Sequence, residues 1–365
     1  MRILQISSSR TYGGGERHFV DLCRGLNDAG HDVFAAVRPT NVWEAKLDFL
    51  SPGRRFHISI RNSVGILSAS RLAAFARENE IDIIHAHVAR DYIPASIACA
   101  LTRGSTKFVL TRHVMFPLKS FNRIALKNLS KAIAVSSGVE ATLYQVFPKA
   151  KVVLIKNGIE VDRRTDEQRK ASCESFRAFH GIPLDAPLIG TIGELVPLKG
   201  QRDLILAANE TAKQFPDGRY IIVGRDNTID QKYRRELKRM VKIFGLEDRF
   251  LWLDWVEDTA ELFSALDVFV SASHTESFGM AMLEAIVTAT PLVATDTDGA
   301  RELIEDAKSR VPVNDPVQLA DKICAVLSDP NSRRLAEDRA LIARERFSLD
   351  RMVKETEQLY LEVQR

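Results

Sequence analysis

The chain has 365 residues, 45% of them hydrophobic and 27% charged, with a formal net charge of +3. That length exceeds what one hydrophobic core usually organises, so two domains of about 150–180 residues are expected, and the composition is that of an ordinary soluble globular protein. Cys23, Cys99, Cys173 and Cys324 are scattered, with no C-x2-C pair, and no apolar run reaches the roughly 18 residues of a membrane span; a reduced cytoplasmic location is expected and a spanning helix is excluded.

The N-terminus, MRILQISSS, reads as a first strand and lacks the basic and apolar regions of a secretory signal. Apolar runs at 3–6, 33–37, 81–86, 108–111, 132–135 and 152–155 alternate with helical patterns near 16–29, 68–79, 92–102, 120–130 and 138–147, which predicts a parallel sheet. Gly13, Gly14 and Gly15 stand between the first strand and a helix opening near Glu16, where bare backbone can approach a phosphate or a sugar. The stretch GGGERHFV lacks the G-x-G-x-x-G spacing of a dinucleotide fingerprint. His85 and His87 flank Ala86 at a strand end and are expected to face opposite ways, with His87 lining a ligand cleft. No Asp, Glu or Cys is spaced to make them a metal pair. His113 follows the strand FVLT.

The segment FPLKSFNRIALKNLSK predicts a basic amphipathic helix with Lys119, Arg123, Lys127 and Lys131 along one side. It suits an anionic membrane surface, or else packs on the sheet with a solvated lysine face. Residues 1–160 contain 22 Lys and Arg against 12 Asp and Glu, a net +10, whereas residues 161–365 carry a net −7. The basic half therefore faces an anionic partner or none; nucleic acid is not expected, because aromatics are few there and no recognition motif is present.

After a charged, helix-breaking stretch from Asp162 to Gln168, the alternation restarts, with apolar runs at 188–192, 220–223, 250–253, 268–272 and 292–295. The fold class is thus α/β, two doubly wound Rossmann-like domains with ligand at the carboxyl ends of the strands, in the cleft between them. Lys199 lies in a loop before a helix. In SASHTESFGMAMLE, Glu276 precedes a Phe-Gly turn that opens a helix and Glu284 sits about two turns into it, so the loop amides and the helix N-terminus suit a diphosphate. The strand PLVATDTDG ends in Asp296-x-Asp298, which resembles an acidic metal motif but is expected to be a turn and helix cap.

These segments, TYGGGERH, DIIHAH, TRH, AVSSGV, IKNGIEVD, GELVPLKGQ, IIVG, the E-x7-E stretch and PLVATDTDGARELI, resemble in order those of the retaining nucleotide-sugar glycosyltransferases of family 4 (group 1), which have the GT-B fold. The resemblance implies an N-terminal acceptor domain over 1–163, a donor domain over 187–346, and a last helix, 347–365, crossing back onto the first domain. It further implies that Lys199 meets the diphosphate, Glu276 the donor sugar and Glu284 the ribose, and that His113 lies near the anomeric centre. The backbone amides of Phe278, Gly279 and Met280, with Gly14 and Gly15, would contact donor phosphate or sugar. Glu194 stands where the family has Arg, and Ser277 where it has Gly; an acid beside a diphosphate must turn away or bond a sugar or acceptor hydroxyl. The implied reaction moves a hexose from a nucleoside diphosphate sugar, UDP being the expected nucleotide, to a glycan or lipid-linked acceptor of the cell envelope, such as lipopolysaccharide. No metal or other cofactor is expected, and the enzyme would work in the cytoplasm or at the inner membrane face. An epimerase of the same fold and a non-catalytic binding protein are the alternatives.

Overall fold

The computed structural model describes residues 1–60 and 65–365, which form two compact units: Met1–Glu160 with Phe347–Arg365, and Val161–Arg346. In the first unit the strands are β1 (Arg2–Ser7), β2 (Asp32–Val37), β3 (Arg55–His57), β4 (Ile83–Ala86), β5 (Lys107–Arg112), β6 (Leu129–Ala134) and β7 (Val152–Leu154). They pair in parallel in the order β3-β2-β1-β4-β5-β6-β7. Helices α1 (Gly14–Asp28), α2 (Ile66–Glu78), α3 (Ala89–Leu101), α4 (Asn122–Ala125) and α5 (Ser137–Tyr144) supply the crossovers. The central strands are buried along nearly their whole length, as covering a parallel sheet on both faces requires.

In the second unit, α6 (Asp166–Phe179) precedes β8 (Leu188–Ile192), α7 (Gln201–Gln214), β9 (Arg219–Val223), α8 (Lys232–Ile243), β10 (Phe250–Leu253), α9 (Thr259–Ala265) and β11 (Val268–Ser271). There follow α10 (Met280–Val287), β12 (Leu292–Thr295), α11 (Asp298–Leu303), β13 (Arg310–Val311), α12 (Pro316–Ser328) and α13 (Ser332–Arg346). The sheet order is β10-β9-β8-β11-β12-β13, again parallel. In each unit the order reverses once, between β1 and β4 and between β8 and β11, and the loops at those carboxyl ends are where a doubly wound fold collects ligand.

The last helix, α14 (Leu349–Gln364), returns to the first unit. Its Met352, Val353, Leu359 and Tyr360 enter the same core as Phe19, Cys23 and Leu26 of α1. Gly25 makes that approach possible: a Cβ there would lie 2.4 Å from Val353 Cγ2.

Two segments depart from the pattern read in the sequence. Of the stretch from Asp162 to Gln168, the first four residues are non-helical, but Asp166 to Gln168 already open α6, because Thr165 Oγ1 accepts from the Gln168 amide and Gln168 Oε1 accepts from the Thr165 amide, a reciprocal cap. The long basic helix over 116–131 is replaced by a loop, the single turn α4 and the start of β6. Arg112 donates to the Phe116 carbonyl, and Asn122 and Asn128 donate to the carbonyls of Lys119 and Ser96, so side chains fix a looped path. Pairing with β5 then draws the chain into the sheet from Leu129 onward. Lys131 is a β6 residue whose Nζ donates to the Ala150 carbonyl, not the fourth cation of a helical stripe.

Candidate functional site

In the second unit, the loops after β8 and β11, on either side of the order reversal, carry Lys199 and Glu276. Lys199 ends a short turn, Pro197–Lys199, and Gly200 follows at φ +66. A Cβ at Gly200 would stand 1.8 Å from the Ala272 carbonyl oxygen, so only glycine lets the two loops close together. The His274 amide donates to the Leu198 carbonyl, and His274 Nε2 lies 2.7 Å from Asp203 Oδ2, which ties the second loop to the first. Between these ties Lys199 Nζ reaches Glu276 Oε2 at 2.5 Å, both groups remaining partly open to solvent.

Gly279, at φ +91, caps α10, and a side chain there would meet Met282 Cε at 2.2 Å. Phe278 is buried beneath this turn and anchors it, while Glu284 lies in the second turn of α10, only 7% exposed. The turn rests on α11, where the Gly299 amide donates to the Glu276 carbonyl and a Cβ would come within 2.8 Å of Phe278 backbone. The amides of Gly279 and Met280 thus open a helix within one short loop of the Lys199–Glu276 pair. Glu194 is exposed, and its Oε1 accepts from Asn227 Nδ2 at 2.8 Å, which holds its carboxylate on a neighbouring side chain. Asp296 is engaged by Arg301 and Arg310, whose hydrogen bonds and charge bring its pKa down to about 2, and Thr297 rather than either aspartate caps α11.

In the first unit, Gly14 and Gly15 begin α1, and the Gly13 amide donates to Glu16 Oε2 at 3.0 Å. A Cβ on Gly15 would lie 3.7 Å from the His113 ring, so this loop backs directly onto His113, which is half-buried. His85 and His87 do not face opposite ways. Residues two apart on a strand share a face, and their ring centroids are 4.2 Å apart. His87 is also too deeply buried, at 4% exposure, to line a surface; its Nε2 lies 2.7 Å from Gln5 Oε1 and its Nδ1 3.4 Å from His113 Nε2. His85 is held between Tyr360 of α14 and Thr111 of β5. Burial, reinforced by the neighbouring imidazoles, lowers the pKa of His85, His87 and His113 well below the ordinary histidine value.

Two buried titratable residues of this unit were not singled out in the sequence. His18, on α1, joins His87 and His113; a helical histidine four residues past Gly14 signals nothing until α1 is packed beside β4. Asp91, in the first turn of α3, is fully buried, and its Oδ2 accepts from the Ser8 amide at 2.9 Å. Burial raises its pKa to about 6. The exposed Phe116, Phe121 and Ile124 accompany Lys119, Arg123 and Lys127 on the loop around α4.

The family model described as Glycosyltransferase Family 4 matches residues 12–163, and that described as Glycosyl transferases group 1 matches residues 173–341. The lipopolysaccharide core biosynthesis glycosyltransferase LpsE of Rhizobium meliloti (strain 1021) is 26% identical over 329 residues, 89% of each chain. The D-inositol 3-phosphate glycosyltransferase of Corynebacterium urealyticum is 31% identical over 218 residues; the match takes in 58% of this chain and about half, 51%, of that protein's length. The crystal structure of Anabaena Alr3699/HepE in complex with UDP and glucose superposes with a TM-score of 0.87 over 99% of this chain and 100% of that one, at 21% identity, a likeness of fold. Two family models fall in order on the two Rossmann-like units, and the chain belongs to the group 1 glycosyltransferases of family 4, built on the GT-B fold.

Proposed function

We propose that the chain transfers a hexose from a UDP-sugar to a glycan or lipid-linked acceptor of the cell envelope, with retention at the anomeric carbon and without a metal. The observation that carries the donor half is the Lys199–Glu276 pair beside the N-terminus of α10. An ammonium and a row of backbone amides meet the charge of a departing diphosphate, the preorganised electrostatics on which such a transfer depends. Glu276 accepts hydroxyls of the sugar, and Glu284, buried one helical turn further on, accepts those of the ribose. The amides of Phe278, Gly279 and Met280 complete the donor site, and Glu194, already bonded through one oxygen to Asn227, offers its other oxygen to a hydroxyl. In the first unit, Gly14, Gly15 and His113 serve the sugar near its reacting carbon. With Lys199 and the helix terminus on the diphosphate, no cation is needed, and Asp296 is committed to two arginines.

UDP as the nucleotide is supported by the UDP held in the HepE crystals, and an envelope acceptor by the lipopolysaccharide core role in the name of LpsE. The exposed Phe116, Phe121 and Ile124 beside Lys119, Arg123 and Lys127 suit a peripheral, reversible contact with an anionic membrane face, apolar side chains entering the interface and cations meeting lipid headgroups. No helix among the described residues is long and apolar enough to cross a membrane. A panel of nucleoside diphosphate sugars tests the donor reading. Thermal stabilisation and slow release of free UDP are expected with one or two UDP-sugars; the same response to GDP-sugars alone would move the nucleotide assignment, and a new epimer without free UDP would replace transfer by epimerisation.

A further inference from the structure

We propose that His18, His87 and His113 form a site for a divalent transition metal, best matched by Zn²⁺, and that an ion bound there withdraws His113 from the donor sugar. One ligand atom from each of the three rings lies within 4.8 Å of the others. The closest pair, His87 Nδ1 and His113 Nε2, is 3.4 Å apart, the spacing of two ligand nitrogens around a tetrahedral ion with Zn–N of about 2.0–2.1 Å, which is about 3.3–3.4 Å. Ring centroids are 4.7 Å apart for His18–His113, 5.6 Å for His18–His87 and 5.7 Å for His87–His113. Imidazoles sharing such an ion stand roughly 5 Å apart, so a small turn of His18 completes the set.

Two further observations point to a ligand. His18 is 2% exposed, yet neither of its ring nitrogens, nor Asn157 Oδ1 beside it, meets the geometry of a well-formed hydrogen bond. An imidazole buried in that state carries an unmet desolvation cost that a metal bond would remove. Moreover, Gln5 Nε2 is committed to Tyr360 Oη, so Gln5 Oε1 faces His87 Nε2 and fixes the proton there. That leaves the Nδ1 lone pair of His87 pointing at the cluster, the outer-shell arrangement that orients a metal-binding histidine. Three neutral imidazoles suit Zn²⁺, Cu²⁺ or Ni²⁺ and not Mg²⁺. His113 is the half-buried member of the three, so it is the ring past which an ion, and a water as fourth ligand, would arrive.

The inhibitory half of the proposal rests on the role given to His113 above; the binding half does not. The metal-free full-length chain is titrated with Co²⁺ and with Zn²⁺ while visible absorption, melting temperature and UDP release are followed. One equivalent of Co²⁺ should give the intense visible bands of tetrahedral nitrogen ligation, Zn²⁺ should bleach them and raise the melting temperature, and UDP release should fall in step and recover with EDTA. His18→Asn should abolish the bands, and Gln5→Met should weaken affinity about 10–100-fold through loss of the outer-shell acceptor. A wild-type chain that gives no stoichiometric Co²⁺ spectrum overturns the site, as does a spectrum that survives His18→Asn. Stoichiometric binding with undiminished UDP release overturns the inhibitory role. A metal-free chain that releases no UDP from any donor counts against the transferase reading, while the spectrum still judges the site.

Discussion

Lys199 Nζ lies 2.5 Å from Glu276 Oε2 although 77 positions separate the two residues in sequence. They meet because β8 and β11 are neighbours at the point where the sheet order reverses, and because Gly200 lets the two loops touch. Lys199→Ala and Glu276→Ala should each lower turnover by roughly 10²-fold or more, the scale of losing one preorganised electrostatic contact. Their double mutant should lose less than the product of the two, since each residue also orients the other. Steady-state UDP release measures all three, and near-wild-type turnover in both single variants would remove the pair from the site.

Glu284→Gln should raise KM for the donor with little change in kcat. A ribose contact is present equally in the ground and transition states, and binding of that kind does not accelerate the chemical step. Donor saturation curves decide it. A large fall in kcat at saturating donor would place Glu284 nearer the reacting centre than the ribose.

Asp91 predicts a pH dependence of stability. Burial raises its pKa from 3.8 to about 6 in the folded chain, so between those values the native state holds a proton that the unfolded state has released. Its contribution is fully present below pH 4 and is lost as pH rises through 6. Relative to Asp91→Asn, which cannot ionise, the wild type should lose on the order of 2–3 kcal/mol between pH 4 and 7. Denaturant unfolding of both proteins across that range measures the difference, and a constant gap would show that Asp91 titrates normally.

The fold was legible to the extent that it depends on local pattern. Alternating apolar runs and helical stretches mark the two parallel sheets, and the capping residues Thr165 and Gln168 carried a helix signal that the charge of their neighbours obscured. The 116–131 segment misled for a different reason. Cations recurring every four residues are compatible with a helix, but Leu129–Ala134 is needed in the sheet beside β5, and tertiary pairing overrides the local period. Lys199, Glu276 and Glu284 stood out because each sits in a motif at a strand or helix end. His18 and Asp91 did not, because their surroundings come from α1, β1, β4 and β5 together.

On the loop around α4, three exposed cations and three exposed apolar side chains make membrane association testable. Each cation contributes about 1 kcal/mol at an anionic leaflet, screened by salt. Sedimentation should occur with anionic vesicles but not zwitterionic ones, weaken at high salt, and fall when Lys119, Arg123 and Lys127 become Gln. Lys131→Gln should have little effect, because its ammonium is held by the Ala150 carbonyl. Unchanged sedimentation in the triple variant would assign the basic loop no part in docking.

The most direct test is transfer itself, followed by NMR with the UDP-sugar that the donor panel selects and a deacylated envelope glycan as acceptor, in excess EDTA. Metal-independent, retaining transfer predicts free UDP in equal amount to a new glycoside whose anomeric configuration matches that of the donor, at an undiminished rate in chelator and abolished by Lys199→Ala. An inverted linkage, or activity that disappears with EDTA and returns with Mg²⁺ or Mn²⁺, would contradict it.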